Sequence, residues 1–294
     1  MNTLIDPYPT RDARHWAITE RKDPVVHGKN QGPLDQSKLD FFQSHGYLLL
    51  NGLVDHVLEE IIAEGDRLKD TADPLDERTI LEPETQAVRS IFEVHRQSLR
   101  YQTLSQSNLA DIARQILGSD VYIHQSRINY KPGFEGKPFY WHSDFETWHA
   151  EDGMPRMRAV SCVINLTENT HENGPLMIIP GSHQHFVQCQ GLTPEDHYKT
   201  SLRNQEYGVP PQPALTKLVE SCGRIDSMTG PPGSVIFFDC NAMHGSAGNI
   251  TPMPRTNLFM VFNSVENTLA DPFCGQKPRP EFIAARDNTP LSPN

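Results

Sequence analysis

Hydrophobic positions recur at two different periods along this chain, and the change falls near residue 121. Before it the spacing is helical. Leu39, Phe41 and Phe42 open an apolar face behind Ser37-Lys38-Leu39-Asp40, which resembles a capping box, and Gly46 is placed to close the helix. Residues 47–50 form a brief apolar strand. Across residues 55–68, Val57, Leu58, Ile61, Ile62 and Leu68 return on one side of a helix. Ser107 is a suitable N-cap for a further helix running to Leu117, with Gly118 positioned to end it. Residues 70–84, acidic and containing prolines, predict a loop. Residues 1–33 mix prolines with charges and predict an irregular arm wrapped on the surface.

Beyond residue 121 short runs rich in β-branched and aromatic residues follow one another, at 121–130, 139–145, 159–166, 175–179, 234–239 and 257–265. Gly, Pro and Asn separate them, as in antiparallel sheets closing into a barrel or jelly roll. Residues 193–230 interrupt the series with a helical stretch near 194–204 and a proline-rich loop. The pattern predicts one domain over residues 1–294, mainly β with flanking helices. The arm and helices occupy about 1–120, the β core about 121–265, and a C-terminal extension about 266–294.

Composition narrows the function. No run approaches the ~18 consecutive apolar residues of a membrane span. The first residues lack a basic stretch followed by an apolar core, so a cytoplasmic location is expected. A net charge of −11 without any Lys/Arg cluster argues against nucleic acid and anionic membranes as partners. The five cysteines are dispersed with no C-x-x-C pair, which argues against a disulfide framework or a cysteine-bound metal cluster. Each is read as a small buried hydrophobe.

The chemistry concentrates in Tyr140-Trp141-His142-Ser143-Asp144-Phe145. On a strand, alternate side chains share a face, so His142 and Asp144 are expected to point the same way. A third ligand is offered by His244, just past the buried-looking run ending at Asp239. Two histidines and a carboxylate on one face of an octahedron suit non-haem iron(II) and leave positions open for co-substrate and oxygen. The other ten of the thirteen histidines, including the His183/His185 pair, are read as structural. Arg255 follows His244 by eleven positions across a proline-containing turn. Its planar fork suits the far carboxylate of 2-oxoglutarate, with Ser246 adding a hydroxyl. Gln125, Arg127, Asn129 and Lys131 share one parity, a polar stripe expected to line a cavity. On these residues alone, a zinc hydrolase or a non-catalytic binding barrel built on the same ligands also remains open.

His142-x-Asp144, His244 and Arg255, with Asn173-Gly174-Pro175-Leu176 and Pro180-Gly181-Ser182-His183 between them, resemble the phytanoyl-CoA dioxygenase superfamily. Three further stretches, residues 121–127, 139–149 and 205–210, resemble the ectoine hydroxylase branch of it. The likeness extends from about Asp23 to Pro280. It implies a double-stranded β-helix core (jelly roll, cupin-like), and a homodimer using Fe(II), 2-oxoglutarate and O2 to hydroxylate L-ectoine to 5-hydroxyectoine in osmotic-stress tolerance. By motif position it implies that Gln125 contacts ectoine and that Trp148, Phe238 and Phe259 line its pocket. It likewise implies that Asn129, Lys131, Ser246 and Arg255 hold 2-oxoglutarate. A related hydroxylase acting on another small amino acid or acyl substrate is the alternative.

Overall fold

A computed structural model describes residues 7–28, 32–203 and 205–292. Residues 1–6, 29–31, 204 and 293–294, parts of the expected arm, helical stretch and extension, lie outside the described residues. The strands in chain order are β1 Ala17–Glu20, β2 Tyr47–Leu50, β3 Thr79–Leu81, β4 Val88–Phe92, β5 Val121–Lys131, β6 Phe139–His142, β7 Ala159–Asn165, β8 Leu176–Ile178, β9 His185–Gln188, β10 Asp226–Met228, β11 Val235–Asp239, β12 His244–Ser246 and β13 Arg255–Ser264. An antiparallel sheet of seven runs β2-β11-β7-β13-β5-β4-β3, and a sheet of four runs β10-β8-β12-β6.

The large sheet has two apolar faces because its strands alternate. Cys162, Ile164, Phe237, Leu258, Met260 and Phe262 pack outward with Ile61, Leu109, Ile112 and Ile116 of the helices. Val163, Ile236, Phe238 and Phe259 pack inward against Leu176 and Ile178 of the small sheet. Helices therefore cover one face, and the other closes against a second sheet to form the jelly-roll interior.

Where the local signal is unambiguous, the expected elements recur. The helix Asn108–Leu117 is capped by Ser107, whose hydroxyl accepts from the Leu109 N–H at 3.3 Å, and ends at Gly118 with φ 62°. Several expectations need correction. The helix Gln36–His45 is capped by Asp35 rather than Ser37: the Asp35 carboxylate accepts from the Lys38 N–H at 3.0 Å. The arm is not merely a surface wrap, because β1 pairs with β9, and Tyr8 and Arg11 are buried. The loop at 70–84 contains β3, an edge strand held by β4. A helix, Gln212–Cys222, occupies the expected proline-rich loop, since Pro213 falls in its first turn, where a missing N–H costs nothing. Around 194–204 the helix covers Tyr198–Ser201 among the described residues. All five cysteines are free; Cys162, Cys189 and Cys240 are buried, whereas Cys222 and Cys274 are half-buried.

Candidate active site

The strand β6 ends at His142, and Asp144 opens a short helix, Asp144–Thr147, capped by Ser143. The expectation that His142 and Asp144 share one face of a strand therefore fails. The Ser143 hydroxyl accepts from the Glu146 N–H at 3.2 Å, and this bond turns the chain as soon as the histidine has been placed. The carboxylate still arrives beside the imidazole, but by a strand-to-helix turn. His244 comes from β12, where it pairs directly opposite His142. Asp144 Oδ1 lies 3.8 Å from His142 Nε2 and 3.9 Å from His244 Nε2. One ligand atom from each residue falls within a 4.8 Å cluster.

The hydrogen bonds around this trio suit a metal. His142 Nδ1 lies 2.7 Å from the Tyr140 carbonyl, and His244 Nδ1 lies 3.0 Å from that of Ala242. A carbonyl only accepts, so each Nδ1 carries the proton and each Nε2 keeps its lone pair for a metal. Burial, followed by the charge of His244, pushes His142 down to about 4, which keeps it neutral near pH 7. Ser161 donates to Asp144 Oδ2 at 3.2 Å and orients the carboxylate. Two neutral nitrogens and one carboxylate would leave a ferrous ion with a single net positive charge, suited to a dianionic chelator.

The polar stripe of β5 faces the interior. In register along β13, Lys131 lies opposite Arg255, Asn129 opposite Asn257, and Arg127 opposite Phe259. Lys131 donates to Ser246 Oγ at 2.9 Å and to the Ala247 carbonyl. Arg255 Nε is buried without a hydrogen-bond partner among the described residues. Arg89, close to both, is already paired with Glu82 at 2.7 Å. Burial, then the charges of Arg255 and Arg89, pushes Lys131 down to about 6. Burial and Arg89 push Arg255 down to about 10. Arg255, with its Nε unpartnered, and Lys131, bonded only to neutral oxygens, are two buried basic groups that suit a carboxylate.

A cavity runs from His142 and Asp144 to Gln125, Arg127 and Asn129 of this stripe, with Trp148 in its wall, while His244, Lys131, Ser246 and Arg255 lie outside its lining. Gln125 is in the wall, yet its amide already donates to the Ile283 carbonyl at 2.7 Å and accepts from Arg127. Phe238 and Phe259 do not line this cavity. Phe238 packs against the His244 ring with centroids 4.8 Å apart, and the Arg127 guanidinium lies 4.7 Å over the Phe259 ring. Residues 70–84 contribute nothing to the cavity wall, whereas Ser201, Leu202 and Gln205 of the 193–230 interval do. Sequence reasoning missed Thr147 and Arg279. Arg279 lines the cavity from the C-terminal extension, held by Asp152 through bonds of 2.7 and 2.6 Å. Neither periodicity nor motif spacing marks it.

The family profile described as phytanoyl-CoA dioxygenase (PhyH) matches residues 42–257. The chain belongs to this family. Within the phytanoyl-CoA dioxygenase family it is 54% identical to the ectoine dioxygenase of Bordetella bronchiseptica, over 96% of this chain and 92% of that one. The crystal structure of EctD from S. alaskensis with 2-oxoglutarate and 5-hydroxyectoine is similar at TM-score 0.88 and 45% identity, covering 98% of each chain. The structure of the same protein with bound Fe is similar at TM-score 0.87 and 44% identity, again over 98% of each.

Replacing Asp144 by Ala is expected to abolish tight iron(II) binding while leaving the melting temperature nearly unchanged. An anaerobic metal titration followed by thermal unfolding checks both. Lys131 yields a pH dependence. Without an anion its ammonium is disfavoured and persists only below about pH 6; a carboxylate placed beside it raises that value. Near pH 7.5, 2-oxoglutarate should therefore bind with uptake of about one proton, and its affinity should weaken as pH rises above 6. Calorimetry in buffers of different ionisation enthalpy reads the uptake, which Lys131→Met should lose.

Proposed function

We propose that this protein is an iron(II)- and 2-oxoglutarate-dependent dioxygenase that hydroxylates L-ectoine to 5-hydroxyectoine, releasing succinate and carbon dioxide, in osmotic-stress protection. The observation that carries the reading is a His-Asp-His cluster at one end of a polar-lined cavity, in a chain 54% identical to an ectoine dioxygenase. Iron(II), when bound with 2-oxoglutarate and O2, supplies the chemistry that breaks a C–H bond and delivers one oxygen atom to the product.

The chain's own side chains bind and orient. His142, Asp144 and His244 would hold the iron. Arg255 would take the far carboxylate of 2-oxoglutarate through its fork, with Lys131, Ser246 and Asn129 around it. Ectoine is a small zwitterionic ring with a delocalised amidinium and a carboxylate. Trp148, in the cavity wall, suits the cation at roughly 0.5–2 kcal/mol, and the cationic Arg127 and Arg279 suit the carboxylate. Gln125 would act chiefly by holding Arg127, and Phe238 and Phe259 by supporting His244 and Arg127 from behind. The reading takes residues 1–294 as one domain, because the arm and the extension both reach the site. It also includes a cytoplasmic location and a homodimer, the latter resting on the family likeness.

Anaerobic incubation with iron(II), 2-oxoglutarate and ectoine, then exposure to oxygen, should give a product heavier by one oxygen atom. Turnover of another small amino acid or acyl substrate, but not of ectoine, would replace the substrate assignment. Arg255→Ala should raise the KM for 2-oxoglutarate by about two orders of magnitude, as expected when a buried bidentate partner is lost. The KM for ectoine should change little; equal effects on both would remove Arg255 from the role given to it.

A further inference from the structure

The acidic residues that follow Asp144 are buried, and their cations come from outside the β core. Glu146 accepts two parallel hydrogen bonds from Arg11, Nε to Oε1 and Nη2 to Oε2, both 2.8 Å. The remaining guanidinium nitrogen, Nη1, donates to Glu151 at 2.6 Å and to Thr193 Oγ1 at 2.9 Å. Glu151 also meets His197 Nδ1 at 2.8 Å. Residues Trp148–Asp152 form a π-helix, a wide turn frequent at functional sites. On this turn the consecutive Glu151 and Asp152 take up Arg11 from the N-terminal arm and Arg279 from the C-terminal extension.

Arg11 is a junction of three segments. It is fixed to the turn that begins at Asp144 and carries the cavity residues Thr147 and Trp148. Through Thr193, and through Glu151 with His197, it ties that turn to the segment that supplies Ser201, Leu202 and Gln205 to the cavity. Gly208, at φ 71°, lets that segment return over the Arg11–Glu146 pair, where any Cβ would collide with both partners. All of these contacts lie at the Trp148 end of the cavity, and none reaches Lys131 or Arg255. Without Arg11, two buried carboxylates would share one site with a single histidine, and like-charge repulsion would open the turn.

From this we infer that Arg11 is a positioning residue for the hydroxylation. It holds the Asp144 carboxylate and Trp148 in place and seats the 193–208 segment against them. The inference rests on the reading of the cavity given under Proposed function. A general stabilising role would lower all kinetic constants together. Positioning at one end predicts a split instead.

Arg11→Gln and Arg11→Lys are compared with the wild-type enzyme, iron-loaded. For Arg11→Gln the KM for ectoine should rise about tenfold and that for 2-oxoglutarate stay within about twofold. The 5-hydroxyectoine formed per succinate should fall by about half or more, as unoriented substrate leaves co-substrate turnover uncoupled. Arg11→Lys keeps the charge but cannot fork, and should fall between. Independently of turnover, Co(II) titration of the metal-free protein should show several-fold weaker binding in Arg11→Gln, because Asp144 is less well held. A lowered melting temperature with unchanged coupling and KM for ectoine would overturn the inference. Where Arg11→Gln does not fold, Glu151→Gln, which spares the Glu146 fork, should give the same split more weakly, and no split there overturns it too. If the wild-type protein leaves ectoine untouched, the substrate assignment fails, and the Co(II) comparison decides the role of Arg11 by itself.

Discussion

The pairing of β12 with β6 in a single register is the constraint on which the site depends. It sets His244 opposite His142 and brings their rings to 4.3 Å between centroids. A slip of one residue would send His244 to the other face of the sheet, since side chains alternate with a period of two. The register is held from both sides: β12 also pairs with β8, and the apolar interior of Leu176, Ile178, Phe238 and Phe259 fills the space behind. Packing and ladder hydrogen bonds, which do not themselves discriminate metals, thus determine where the two imidazoles meet. Asp144 joins them only because Ser143 ends the strand at that point and starts a helix.

Charge is distributed unequally around this centre. At the Trp148 end the carboxylates of Glu146, Glu151 and Asp152 are each matched by an arginine drawn from a chain end. Breaking such a buried pair by removing one partner costs on the order of 3–5 kcal/mol, because a charge is left uncompensated. At the Lys131 end the balance reverses, with the basic groups of Lys131 and Arg255 opposite one another in register and Glu82 already engaged by Arg89. One end is internally neutralised. The other is short of negative charge and suits a dianion. A molecule bridging the trio and that second end completes both electrostatic and coordination requirements at once.

Much of the fold was legible because its signals are local. The cap at Ser107 with Gly118, the strand at residues 47–50 and the long alternation through Val121–Lys131 each follow from a few neighbouring side chains. The polar stripe of β5 also announced an interior cavity, because a buried core strand with polar residues on one parity needs something to face. The short strands β3, β4, β9, β10 and β12 were not legible. Three to five residues carry too little periodicity, and these strands exist only because a neighbour offers hydrogen bonds. Pro213 argued against a helix that its place in the first turn permits.

The sequence by itself determined the chemistry on offer: which side chains can ligate iron, which arginine can fork a carboxylate, and which family the motifs resemble. Side-chain type and short spacing are properties of the chain and survive without the fold. Only the tertiary structure decided how they meet. It replaced the expected strand face of His142 and Asp144 with a strand-to-helix turn. It withdrew Phe238 and Phe259 from the cavity wall to a supporting layer. It also brought Arg11 and Arg279, about 270 positions apart in the sequence, onto consecutive acids of one π-helical turn. Those outcomes depend on long-range burial of charge, whose cost and compensation are set by three-dimensional neighbours that no local pattern encodes.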